Sequence, residues 1–86
     1  MISLEKLSKE ELYEALEEIT FNNIVHWRRP ELLRILGGER AIHVIPQSNQ
    51  RHKLRRDGVL KIGFKRGGKT VSVSARAIRI LEEETG

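Results

Sequence analysis

Between Leu60 and Ala75, apolar and polar residues alternate on both sides of the pair Gly67-Gly68. Period-two alternation marks a strand with one buried face, and a glycine pair between two such runs marks a hairpin. With Gly67-Gly68 as a two-residue turn, Arg66 faces Lys69, Phe64 faces Val71, Ile62 faces Val73 and Leu60 faces Ala75. One face of the ribbon is then apolar. The other shows Lys61, Gly63 and Lys65 opposite Thr70, Ser72 and Ser74. Glycine takes the positive φ such a turn requires, and a register this consistent is hard to obtain by chance.

A chain of 86 residues has room for one domain around one small core. With 38% hydrophobic and 33% charged residues it fits a folded globular protein, not a disordered one. No apolar run approaches the roughly 20 residues that span a bilayer. The opening Met-Ile-Ser-Leu-Glu-Lys lacks the basic and apolar blocks of a signal peptide, so the expected location is the cytoplasm. The absence of cysteine excludes disulfides and thiolate metal sites.

Helices account for most of the remainder. Ser8 and Glu11 form a capping-box pair ahead of a helix over residues 8–19. Leu12, Ala15, Leu16 and Ile19 fall on one side of it and the acids fill the other. Phe21 to Trp27 reads as a connector, with Trp27 as a core anchor or, alternatively, a base-stacking ring. Pro30 opens a second helix, Glu31 to Leu36, which Gly37-Gly38 ends; its row of Leu and Ile predicts extensive burial. Residues 41–46 fit a helix by spacing, but Ile42, Val44, Ile45 and Pro46 favour a short strand with His43 on its less buried side. Ser48 is the expected N-cap of a helix from Asn49 to Arg56, which Asp57-Gly58 stops and Leu54 anchors. Ser74 caps a last helix from Ala75 to about Glu84, unless the second strand runs on through Ile78 and Ile80.

Charge is segregated along this scheme. Residues 1–27 carry six acids against two bases, and residues 28–80 carry fourteen bases against three acids. Residues 81–86 add three more acids. A basic section over 28–80, net +11 between an acidic helix and an acidic tail, is the footprint of a polyanion-binding face. Within it, Gln47, Asn49 and Gln50 can pair two-pronged with adenine. Arg51, Arg55 and Arg56 can do so with guanine or meet phosphate, with Ser48 and Lys53 beside them. Lys65, Arg66 and Lys69 sit at a glycine-softened hairpin tip suited to a phosphate backbone or a minor groove. Arg28 and Arg29 precede the second helix and can reach a phosphate alongside its free N–H groups.

These features together resemble a winged helix-turn-helix DNA-binding domain over residues 8 to 81. The resemblance implies an α+β fold with helices packed on a β-hairpin, residues 48–56 as recognition helix and residues 63–71 as wing. Two departures stand out. Gly37 to Gln47 is longer than the turn of that pattern, and the short strand follows the second helix instead of preceding it. An alternative pair, Pro30–Leu36 with Arg40–Ile45, keeps a short turn but makes the second helix too apolar for a groove.

Enzyme signatures are missing. His26, His43 and His52 lie far apart without partners at metal-ligand spacing. Gly67-Gly68-Lys69-Thr70 lacks the earlier glycine and the following helix of a phosphate-binding loop. The expectation is therefore a non-enzymatic protein without cofactor or metal, a small transcriptional regulator or architectural factor. It would bind duplex DNA in preference to RNA, with a homodimer as one possible assembly. The alternatives are a ribonucleoprotein component, and a protein–protein adaptor using the acidic helix or the apolar connector.

Overall fold

The computed structural model describes residues 4–85, with side chains described for residues 5–83, so Glu84 of the acidic tail lies outside the described side chains. After a short 3-10 turn at Leu4–Lys6, the elements run α1 (Lys9–Trp27), α2 (Arg29–Leu36), α3 (Ala41–Val44), α4 (Ser48–Arg56), β1 (Leu60–Lys65), β2 (Gly68–Val73) and α5 (Ala75–Thr85). The result is a single α+β domain in which helices pack on an antiparallel hairpin, a winged-helix-like arrangement.

The Ser8 hydroxyl caps α1, accepting from the Glu11 backbone N–H at 3.2 Å. The helix does not stop at residue 19. It continues through the expected connector to Trp27, because Phe21 and Val25 are one turn apart and both enter the core, at 4% and 0% exposure. They are the only residues that α1 buries. Leu16 and Ile19 remain more than half exposed, so the apolar side noted for the first half of this helix does not face the core. Trp27 is 87% exposed and is no core anchor; its place on the helix points away from the side that Phe21 and Val25 bury.

Arg28 joins α1 to α2, where Pro30 occupies the first turn. Leu32 and Ile35 are buried, but Leu33 and Leu36 are exposed, so α2 is only half buried despite its apolar row. Beyond Gly37-Gly38, Arg34 clamps Glu39: Nη2 and Nε donate to Oε2 at 2.6 and 3.0 Å. The hydrogen bond from Arg34 holds the Glu39 carboxyl below its ordinary value and raises the Arg34 guanidinium above its own.

Residues 41–44 form a helical turn, not a strand. Ala41, Val44 and Ile45 are buried together at helical spacing, which outweighs the β preference of Ile42, Val44 and Ile45. This shortens the connection to α4 to Ile45-Pro46-Gln47, so α3 and α4 have the short turn of a helix-turn-helix pair. Ser48 is the first residue of α4; Gln47 occupies the cap position without a side-chain bond. Gly58, at φ +83°, then turns the chain into β1.

The hairpin register is Leu60↔Val73, Ile62↔Val71, Phe64↔Lys69 and Lys65↔Gly68. It lies two residues from the pairing expected for a Gly67-Gly68 turn. Arg66 and Gly67 make the bend, and Gly68, at φ +120°, carries the positive dihedral as the first residue of β2. A two-residue shift preserves which face each side chain joins. The inner end of the apolar face is therefore buried at Leu60 and Val73, but Phe64, opposite Lys69, is 78% exposed. Ser74 ends the strand, since its hydroxyl accepts from Ala77 N–H at 3.2 Å and starts α5. Arg76 lies over the Phe21 ring, 3.9 Å from its centroid, and pairs with Glu18, tying α5 to α1.

One core links all these parts, from Phe21 and Val25 through Leu32, Ile45, Leu54 and Val59 to Ala77 and Leu81. The molecule is elongated nonetheless. It measures 50 × 27 × 22 Å, with a radius of gyration of 15.1 Å, where a compact chain of this length has about 12 Å. Among the described residues no helix is long and apolar enough to cross a membrane.

Candidate nucleic-acid interface

Helix α4 rests on the core by one buried side chain, Leu54. Two arginines hold its N-terminal half in place. Arg51 Nη1 donates to the carbonyl oxygens of Ile45 and Pro46, at 2.7 and 2.9 Å, and fixes the turn after α3. Arg28 donates through Nη1 to Glu31 and through Nη2 to Oε1 of Gln50, both at 2.8 Å, linking the α1–α2 junction to α4. Arg28, Gln50 and Arg51, all expected as contact residues, are thus half-buried parts of the scaffold. Arg29 is also half-buried and engaged within the fold.

What remains on the outer side of α4 is Ser48, Asn49, His52, Lys53 and Arg56, all exposed, with Arg55 half-exposed beside them. Exposed Gln47 immediately precedes them. At about 100° per residue, this set from Ser48 to Arg56 occupies the side of α4 away from Leu54. The Arg55 guanidinium lies 3.2 Å from His52 Nδ1. His52 was not singled out from sequence as a binding residue; its i, i+3 and i, i+4 spacing to Arg55 and Arg56 was the available signal.

A groove runs between α4 and the hairpin, about 620 Å³ in volume, lined by His52, Arg55, Arg56, Leu60, Lys61 and Ile62 among others. Lys61 is a second residue that sequence reasoning assigned to the polar strand face without marking it as a contact. Farther out, Lys65, Arg66 and Lys69 are all exposed at the hairpin tip, with Phe64 beside them. From Gln47 to Arg79 the only acidic residue is Asp57, at the C-terminal cap of α4. Helix and tip are therefore both rich in exposed bases. Trp27 lies apart from that groove, bordering a second one between α1 and α4 with Asn23, Gln50 and Lys53. Among the described residues no three His, Asp or Glu side chains gather closely enough to hold a metal ion. Comparison with protein-family models, with curated proteins and with solved structures finds no significant match to this chain.

Proposed function

We propose that this protein binds duplex DNA, with α4 lying in or along a groove and the hairpin tip on the flanking backbone, as a small transcriptional regulator or architectural factor. The observation that carries the reading is the outer side of α4. Six polar or basic side chains from Ser48 to Arg56 share it, free of acids, beside a projecting tip with three more bases. Asn49 suits two-pronged recognition of adenine, and Arg55 or Arg56 of guanine, whereas Lys61, Lys65, Arg66 and Lys69 suit phosphates. Arg28, Gln50 and Arg51 position the helix and do not contact DNA themselves.

A titration of labelled duplex at several salt concentrations tests this. Binding should weaken linearly on a log–log plot, with a slope of about −0.9 for each phosphate neutralised. No binding at low ionic strength, or binding indifferent to salt, refutes the reading.

RNA binding is a second reading, favoured by one observation. Phe64 is exposed on the hairpin and can stack on an unpaired base, a use that an inward Phe64 would have denied it. Competition of duplex DNA against a hairpin RNA with an unpaired loop separates the two. Preferential displacement by the RNA, lost in Phe64→Ala, selects the second.

A further inference from the structure

Helix α1 has two apolar sides, and its own domain uses one. At about 100° per residue, Leu12, Leu16, Ile19, Asn23 and Trp27 fall within about 80° of one another, in a stripe centred about 180° from Phe21 and Val25. The spacing is four, three, four and four residues, that of a helix–helix seam with one amide inside it. Leu16, Ile19 and Trp27 are 53%, 58% and 87% exposed. The acids Glu10, Glu11, Glu14, Glu17 and Glu18 lie in the opposite sector, on the side where Phe21 and Val25 sit farther along.

We infer that a second copy of this chain covers the stripe, with the two α1 helices antiparallel about a two-fold axis near Ile19. The charge pattern identifies the occupant. A stripe without an acid, on a helix with five of them, does not suit a basic partner, which would seek the other side. It does suit its own copy, since self-pairing brings no two acids face to face. The direction follows from the same charges. Parallel helices would set the acidic halves side by side, whereas antiparallel packing sets each acidic half along the other copy's Trp27 groove, where Arg28 and Lys53 lie with one acid, Asp57. Ile19 then meets the other Ile19, and Leu12 meets Trp27.

Leu12 to Trp27 spans about 22 Å at 1.5 Å per residue, a contact at the small end of specific interfaces. The dimer should accordingly be weak and concentration-dependent, with a dissociation constant on the order of micromolar. The stripe itself lies on α1, apart from the proposed contacts on α4 and the hairpin, and Lys53 borders both surfaces.

Sedimentation equilibrium on the full chain should show a monomer–dimer equilibrium that Ile19→Glu shifts about tenfold or more toward monomer. Circular dichroism of the variant should match that of the natural chain at dilutions where both are monomeric, because residue 19 is exposed in the fold. A chain that stays monomeric at high micromolar concentration, or a dimer indifferent to Ile19→Glu, overturns the inference. The cysteine-free sequence allows a test of geometry. Ile19→Cys should give a disulfide-linked dimer on mild oxidation. Leu12→Cys should not, its two copies lying about 21 Å apart in the antiparallel pair, beyond disulfide reach. Equal cross-linking of both variants overturns the antiparallel arrangement.

Discussion

Two arginines four residues apart on α4 divide the labour of this protein. Arg51 spends its guanidinium on two carbonyl oxygens at the α3–α4 turn, while Arg55 holds only an exposed contact to His52. Arg51→Ala takes the donor from the part-buried Ile45 carbonyl and should lower unfolding stability by about 1–3 kcal/mol in urea titrations. Arg55→Ala should leave stability within about 0.5 kcal/mol and weaken DNA binding instead. If both variants lost affinity with no change in stability, the assignment of Arg51 to the scaffold would be wrong. Sequence could not separate them, because both are arginines on a basic helix and the difference is set by where Ile45 and Pro46 turn. Glu39 offers a pH test at the same scale. Its folded carboxyl is held below the ordinary value of 4.5 by Arg34, so its contribution is present above that value and is lost as pH falls through the depressed one. The gap in denaturation midpoint between the natural chain and Glu39→Gln should close over that acidic window. A gap that persisted at lower pH would argue against the clamp.

At the scale of elements, α4, the hairpin and the capped first half of α1 were legible from local chemistry, and the continuation of α1 to Trp27 and the helical α3 were not. Asp57-Gly58 ends a helix and Ser74 starts one wherever they stand, since turn and cap residues act on their neighbours. The hairpin's faces followed from a period of two, but its register did not: Gly67-Gly68 permits either bend, and the structure puts the positive φ on Gly68. Phe64 was lost to the core by that choice. Residues 41–44 form a helical turn where their side chains suggest a strand, because β-branched side chains bury equally well from a helical turn once neighbours close over them. In α1 the apolar stripe from Leu12 to Ile19 follows from the spacing, but the side that faces the core does not, because the phase changes at Phe21. The tip, from Lys65 to Lys69, is exposed and can be altered apart from the core. Replacing Lys65, Arg66 and Lys69 together with alanine should reduce the steepness of the salt dependence of DNA binding by about 2 to 3 and leave the melting temperature nearly unchanged. An unchanged salt slope would remove the hairpin from the proposed interface.

At the scale of the whole molecule, a small core holds many short elements together, so single truncations there should be severe. Leu32 is fully buried at the centre of that core, and Leu32→Ala should cost about 2–5 kcal/mol. For a domain this small that is a large fraction of total stability, so thermal melts should show a collapse of the transition and not a modest shift. The division of charge along the chain, acidic in α1 and basic from Arg28 onward, was visible from sequence, but in three dimensions the two parts touch, since Arg76 pairs with Glu18 and Arg56 lines a groove with Glu17. Which bases were free to act was not visible, since that depends on partners brought from twenty residues away, as Gln50 is to Arg28.

The first turns of α1 carry a further consequence. From Lys9 to Thr20 no side chain of the helix is fully buried, and only Leu12 and Ala15 are half-buried. A helical segment of about a dozen residues is marginal in water without packing, because nucleation is costly and each added residue gains little. In a lone chain these turns should therefore open and close rapidly, and their amides should exchange with solvent orders of magnitude faster than those around Val25. Where two chains meet along α1, ordering of these turns and association become one equilibrium. Hydrogen exchange at Leu12 to Ile19 should then slow as protein concentration rises, while exchange in α4 stays constant. The acidic end of the molecule would thus report how many copies are present through the speed at which its backbone takes up deuterium.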